Sequence, residues 1–260
     1  MAYIEIDNVA KRYGATEVLE RLSLTVDERA FVTIVGASGC GKSTFLRLLL
    51  GAEPPSAGEI RLGGEPLPAE PDARRGIVFQ RYSVFPHLTA LGNVLLAIEL
   101  RESRLGRLFG ASRRRAVAEG QAMLERVGLG HARDQYATAL SGGMQQRLSI
   151  AQSLVRRPPL MLLDEPFGAL DPGIRKDMHA LILELWENEG LTIFMVTHDL
   201  EEGFHLGTRL LVFDKVRHDP QAPERYGATI TYDLPVARRG EPPPELAGLD
   251  PTQQEALRHA

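Results

Sequence analysis

Near the N-terminus the chain reads YIEIDNV, with apolar and polar residues in turn, and LSLTV at 22–26 repeats the alternation before a charged turn. A period of two predicts half-buried strands. FVTIV at 31–35 is instead a continuous apolar run ending at Gly36, the pattern of a parallel strand covered on both faces. KSTFLRLLLGA predicts a helix from Lys42, stopped by Gly51 and then by Pro54 and Pro55. GEIRL and GIVFQ predict two further short strands. From 88 to 155 the period becomes helical with few strand candidates. PLMLLDEP restores a buried strand, followed by a helix over about 173–187, the strand LTIFMV and a short helix near Asp199. An α/β stretch, a helical stretch and a second α/β stretch predict a parallel-sheet core with one helical module (about 88–157) inserted.

Beyond Lys215 the pattern weakens. ATITYDLPV (228–236) predicts one edge strand, and the polar, proline-rich last twenty residues are expected to be mobile or loosely docked. Residues 101–115, RESRLGRLFGASRRR, carry six arginines against one glutamate. A solvated loop and helix face is the plain reading, and contact with anionic lipid headgroups the sharper one.

With 260 residues, 43% hydrophobic and 25% charged, the chain has ordinary globular composition and enough length for a real core. A net charge of −4 argues against a general nucleic-acid binder. Cys40 is the single cysteine, so no intrachain disulfide can form, and a reducing compartment is expected. The start of the chain lacks the pattern of a signal peptide. No apolar run approaches the ~18 residues that span a bilayer, so any membrane role would need another chain.

GASGCGKST (36–44) lies between the buried run and the first helix. It meets G-x-x-x-x-G-K-[ST] through Gly36, Gly41, Lys42 and Ser43. Glycines let the backbone wrap a β-phosphate, and the helix N-terminus adds partial positive charge. Lys42 is placed to reach the β- and γ-phosphates and the Ser43 hydroxyl to ligate Mg²⁺. ATP and Mg²⁺ are therefore the expected cofactors, with Ala37, Ser38, Gly39, Cys40 and Thr44 completing the cradle. Asp164 ends a buried strand at the crevice where such sheets bind ligands, and would hold Mg²⁺ through its water shell. Glu165 would polarise the attacking water. Paired acids ending a strand also occur simply at helix N-termini, but the upstream phosphate loop favours the chemical reading. His198, ending the next apolar strand, is either structural or a contact to the γ-phosphate. Gln80, after GIVF, can touch Mg²⁺ or water. LSGGMQQR (140–147) is a second phosphate-like element, a serine and two glycines opening a helix.

In this order the pieces resemble the nucleotide-binding subunit of an ABC transporter over about residues 3–214. Tyr13 in KRYG matches the aromatic that stacks on adenine. The P-loop, Gln80, LSGGMQQR, LLDEP, ALD ending at Asp171 and the TH of His198 follow. The resemblance implies an α/β P-loop NTPase (RecA-like) core with an inserted helical subdomain and an N-terminal antiparallel β-subdomain. The cassette would fill 1–214 and an extension 215–260. It also explains the two phosphate elements. Two copies pack head to tail, and ATP is clamped between the P-loop of one and the signature of the other. Ser141, Gly142, Gly143 and Gln145 then serve the nucleotide in trans, and Asp171 communicates across the interface. ATP hydrolysis is the implied activity, with Glu165 as base.

The phrases VFQRYSVFPHLTALGNV, MQQR and ATITYDLPV resemble the nitrate, sulfonate and taurine importer branch. The implied partners are a second copy, multispanning permease subunits and, indirectly, a periplasmic or lipid-anchored solute-binding protein, with no nucleic acid. The implied location is the cytoplasmic face of the inner membrane. An exporter or lipid-transport cassette shares the same catalytic residues, and a soluble ABC ATPase of DNA repair or translation is a further class. Tyr82, Val84, Phe85 and Leu88 either line the groove that receives the permease or belong to the core of the helical module. Three departures stand out: Gln152 where an arginine is usual, Gly203 and Gly207 where alanine is common, and a long polar segment before the final strand. Each glycine should loosen a helix by ~1 kcal/mol.

Overall fold

A computed structural model describes residues 2–79, 84–103, 106–217, 219–222 and 224–236. The chain forms two compact units, Met1–Asp72 with Gly190–Ala260, and Ala73–Glu189. The first opens with β1 (Ala2–Tyr13), β2 (Thr16–Asp27), β3 (Phe31–Gly36), α1 (Lys42–Leu50), β4 (Ala57–Leu62) and β5 (Glu65–Pro66). The second contains β6 (Arg75–Val78), α2 (Ala90–Glu102), α3 (Gly110–Arg126), 3₁₀ turns at 130–132 and 137–139, α4 (Gly142–Leu154), β7 (Leu160–Asp164) and α5 (Pro172–Glu189). β8 (Thr192–Val196), α6 (Leu200–Leu206), β9 (Arg209–Asp214) and β10 (Thr229–Pro235) return the chain to the first unit. Among the described residues no helix is long and apolar enough to cross a membrane.

In the first unit β1, β2, β4 and β5 form an antiparallel sheet in the order β2-β1-β4-β5. The alternation read in the sequence buries Ile4, Ile6, Leu22, Leu24 and Val26. Ile4 lies opposite Val26 and Ile6 opposite Leu24. β2 starts earlier than LSLTV suggests, because a tight turn at Gly14 (φ 59°) pairs Tyr13 with Thr16 and brings the polar residues after it into the ladder. The second sheet of this unit places β3 between parallel β8 and β9, with β10 antiparallel on β9. Every residue of β3 and of β8 is buried, as uninterrupted apolar runs require. Phe45 of α1 sits 6.1 Å from the ring of Phe194 and 5.2 Å from that of Phe213. Covering such a side chain contributes about 1.5–3 kcal/mol. Gly51, in the left-handed region at φ 75°, ends α1.

Gly203 lies within α6, whereas Gly207 follows the helix as its C-terminal cap in extended conformation. A Cβ on Gly207 would lie 2.7 Å from Thr33 Oγ1 and 2.8 Å from the Gly203 carbonyl oxygen. The Thr33 hydroxyl donates to that carbonyl at 3.2 Å, so the short helix is drawn onto β3 where only glycine fits. Gly207→Ala is expected to lower the unfolding free energy by about 1–3 kcal/mol through overpacking. An unchanged denaturant midpoint would show that β3 and α6 can separate at no cost.

The polar segment after β9 is docked along β2. Glu17 N–H donates to the Glu224 carbonyl at 2.8 Å, Glu20 N–H to that of Ala228 at 3.0 Å, and Ala228 N–H to that of Val18 at 2.9 Å. The Arg217 guanidinium holds both oxygens of Glu20, at 3.1 and 2.7 Å, and lies 4.4 Å from the centre of the Tyr226 ring. Backbone pairing and the Arg217 guanidinium together fasten this long polar segment. The last twenty residues lie outside the described ones.

In the second unit β6 and β7 pair in parallel, with Val78 opposite Leu163. Arg101 on α2 donates to both oxygens of Glu119 on α3, at 3.0 and 2.8 Å. These bonds hold the Glu119 carboxyl below its ordinary pKa.

Candidate functional site

The first unit builds the phosphate loop at the carboxyl end of β3. Gly36 (φ 154°) and Gly41 (φ 96°) take conformations that side chains rarely adopt, and neither site has room for one. A Cβ on Gly36 would lie 2.2 Å from the Phe213 carbonyl oxygen, and one on Gly41 would lie 2.7 Å from Leu19 Cδ2. Leu19 is in the stretch of β2 clasped by the docked segment, so that segment backs the wall of the loop. Gly41 gives α1 no side-chain cap, and the first turn of α1 carries no acidic residue. Its positive end is left to an anion.

Lys42 is buried, and its ammonium donates to the carbonyls of Gly36 and Ala37, the latter at 3.0 Å. The Cys40 sulfur is 4.0 Å away, and burial pushes this thiol above its ordinary pKa against the pull of Lys42. Ser38 and Gly39 are exposed on the loop, while Thr44 is buried.

Tyr13 ends β1 with its ring 42% exposed and its hydroxyl donating to Glu53, just beyond α1. Lys11 holds Glu53 at 3.1 Å and lies 4.9 Å from the centre of the Tyr13 ring. Partial burial and then Glu53 raise the phenol pKa, while the Thr44 and Arg47 side chains act the other way. The Glu53 carboxyl is lowered, first by the bond from Tyr13. The aromatic face is thus presented from a fixed hydroxyl beside the end of the loop.

β8 runs parallel to β3 with Ile34 opposite Val196, and Thr197 N–H donates to the Ile34 carbonyl at 3.0 Å. The two strands therefore end at one edge, which brings exposed His198 to the side of the sheet from which Gly36 leads into the loop. Asp199 caps α6 by accepting from the amides of Glu201 at 2.9 Å and Glu202 at 3.2 Å, which fixes the turn carrying His198.

The second unit supplies the acids and the signature. β7 is buried throughout and ends at Asp164. Glu165 follows at φ 47°, a left-handed conformation that costs a non-glycine residue about 1–3 kcal/mol. A sequence pattern does not reveal this backbone conformation.

Ser141 caps α4, its hydroxyl accepting from Met144 N–H at 3.4 Å, with Gly142 and Ser141 exposed at the tip. Gln145 donates to the Ala137 and Leu140 carbonyls at 3.0 and 3.1 Å, so its amide nitrogen shapes the loop before the helix. Gln146 is buried and donates at 2.8 Å to the carbonyl of Pro166, one residue past Glu165. A Cβ on Gly143 would lie 3.4 Å from the Ala169 carbonyl oxygen. The signature helix thus packs on the turn at 166–170, with Glu165 just before it and the exposed Asp171 just after. Arg147 donates to the Val127 and Gly128 carbonyls at 3.1 and 3.2 Å, and burial lowers its pKa while Asp171 opposes the shift.

Gln80 and Tyr82 lie outside the described residues. Phe85 is 42% exposed, so its ring is not core. Val84 and Leu88 are half-buried. Buried Asn93 accepts from Phe85 N–H at 2.7 Å and donates to the carbonyls of Phe85, Leu88 and Thr89 at 3.1, 3.3 and 2.9 Å. Gln152, the residue standing in the usual arginine position, donates to Asn93 Oδ1 at 3.1 Å. Asn93 and Gln146 had no signal beyond their places on the inner face of a helix period.

Comparison with known proteins places this geometry. The family described as ABC transporter matches residues 19–168, more than half of the chain. The chain belongs to the ABC transporter family. It is 39% identical to the bicarbonate transport ATP-binding protein CmpD of a Synechocystis species, over 84% of this chain and 76% of that protein. It is 38% identical to the taurine import ATP-binding protein TauB of Rhizobium johnstonii, over 88% of this chain and 82% of that one. Among solved structures, a dimeric post-hydrolysis state of the ATP-binding cassette MJ0796 bound to ADP and Pi superposes with a TM-score of 0.74. That match has 27% identity and covers 90% of this chain and 98% of the other. The glycine-lined loop with its buried lysine fits the phosphates of ATP.

Proposed function

We propose that this protein is the ATP-hydrolysing subunit of an importer for a small polar solute of the nitrate, sulfonate, taurine or bicarbonate kind. Two copies close head to tail around two ATP, and their opening and closing drives membrane-spanning permease subunits. The observation that carries the importer reading is identity of 38–39% with two named import or transport ATP-binding proteins over more than four fifths of the chain. The subunit is held by the permease at the cytoplasmic face of the membrane, and a solute-binding protein outside delivers cargo.

In this reading Tyr13 stacks on adenine, and residues 36–44 wrap the phosphates. Lys42 transfers its ammonium from the loop carbonyls to the β- and γ-phosphate oxygens. The Ser43 hydroxyl, Asp164 and Gln80 are oxygen donors suited to Mg²⁺, which supplies charge neutralisation on those oxygens. Glu165 accepts the proton of the attacking water, and His198 donates to the γ-phosphoryl group. Ser141, Gly142 and Gly143 of the second copy complete the cradle with a hydroxyl and amide donors, and Gln145 holds their loop in shape. Asp171, exposed just beyond the turn that the signature helix packs on, reports closure between the copies. Hydrolysis to ADP and phosphate removes the group those trans donors grip, so the dimer opens. Phosphoryl transfer asks mainly for this positioning and neutralisation.

The test uses a hydrolysis-blocked Glu165→Gln protein, which should sediment as a dimer with ATP and as a monomer without it. Adding Ser141→Arg should abolish the dimer while ATP binding persists. A dimer that survives Ser141→Arg would place the trans contact elsewhere.

A further inference from the structure

One corner of the second unit has no part in the nucleotide chemistry and is built unlike the rest of the surface. Phe109, just before α3, is 74% exposed, and Leu100 on α2 is 60% exposed. The segment leading to Phe109 runs along α2 beside Leu100: Leu100 Cδ2 lies 3.8 Å from where a Cβ on Gly106 would be, and Leu108 N–H donates to Glu99 at 3.4 Å. Exposed Arg107, Arg113, Arg114 and Arg115 surround them in sequence. The nearby carboxylates are already taken. Glu99 pairs with Arg113 at 2.9 Å, Glu102 with Arg101 at 2.7 Å, and Glu119 with Arg101 at 2.8 Å and Arg157 at 3.3 Å. Among the described residues Arg107 and Arg114 have no carboxylate partner, and Arg115 donates only to Ser112, at 3.3 Å.

Ordinary surface logic does not produce this arrangement. Cations in the first turns of a helix oppose its dipole, and α3 has no acidic residue there to offset them. An aromatic ring left in water gains nothing from burial, and guanidinium groups without a carboxylate gain nothing from an ion pair. Both features become favourable against a surface that is anionic outside and apolar just beneath.

We propose that Phe109 and Leu100, framed by Arg107, Arg114 and Arg115, form a contact surface for anionic lipid. The guanidinium groups bind headgroup phosphates with charge-assisted hydrogen bonds, and the Phe109 ring enters the acyl boundary. Charge complementarity is local. With a net charge of −4 the remaining surface does not favour a polyanion that must wrap the protein, whereas a flat bilayer meets the corner alone. The contact is weak by itself and orients a subunit that the permease already tethers, where effective concentration is high. It relies on the importer reading only for bringing the corner near a bilayer.

The experiment floats the purified full-length chain, without permease, on phosphatidylcholine vesicles with and without phosphatidylglycerol. Binding is expected only to the anionic vesicles, and it should fall as salt rises. Each arginine near such a surface multiplies partitioning by roughly five, so Arg107→Ala with Arg114→Ala should lower it about 25-fold. Phe109→Ser should weaken binding further, including at a salt concentration where the arginine effect has faded. ATP hydrolysis and thermal midpoint are measured in parallel, and these exposed variants should match the parent in both. An active parent that ignores anionic vesicles overturns the proposal. So does a parent whose binding is indifferent to the three substitutions, or one that binds a short nucleic-acid duplex more tightly than the vesicles. An inactive parent that still floats through this corner would instead count against the ATPase reading and leave the lipid contact standing.

Discussion

Glu165→Gln is expected to slow ATP hydrolysis by about 10²–10⁴-fold, the contribution of a positioned general base. The side chain keeps its size and its place after β7, so ATP binding should survive and ATP-bound dimers should accumulate. Glu165 holds a left-handed φ of 47°. A backbone conformation with a standing cost persists where the surroundings enforce it, and here Gln146 anchors the next residue from the signature helix at 2.8 Å. The measurement is single-turnover phosphate release at saturating ATP. Parental turnover in the variant would remove Glu165 from the role of base and leave the carboxylate of Asp164 as the residue to test next.

Lys42→Ala should act on binding itself, raising the ATP dissociation constant by about 10–100-fold. Hydrogen bonds from a charged donor contribute about 1.5–3 kcal/mol, and tenfold in affinity corresponds to about 1.4 kcal/mol. The ammonium is buried inside the loop and bonded to the Gly36 and Ala37 carbonyls, which it exchanges for phosphate oxygens on binding in the proposed reading. Titration with a fluorescent ATP analogue reads the affinity, and a thermal midpoint without nucleotide controls for the loss of its bonds to the two carbonyls. Unchanged affinity in a folded variant would mean that the backbone amides hold the phosphates unaided. The pair of variants separates the two steps: one retains nucleotide and loses turnover, the other loses nucleotide first.

Much of this protein is written locally in its chain. Largely apolar runs predicted β3, β7 and β8 because a strand covered on both faces admits a polar group such as Thr33 only where it finds a hydrogen-bond partner, and the glycines of residues 36–41 announced a loop whose backbone must approach a ligand. Alternation announced β1, and the serine of LSGGMQQR announced the cap of α4. What local pattern left open was settled by neighbours distant in sequence. That Gly207 faces Thr33, that Gln146 rather than Gln145 reaches Pro166, and that Gln152 supports Asn93 and through it Phe85 depend on partners many residues away. The long polar stretch after β9 carried no pattern that named a partner, and Glu20 and the edge of β2 hold it through Arg217 and backbone pairing. Side-chain period and turn chemistry are properties of a few consecutive residues, so they can be read along the chain. Which buried amide finds which carbonyl, and which glycine is needed for want of space, are properties of surfaces that meet only when the chain is folded.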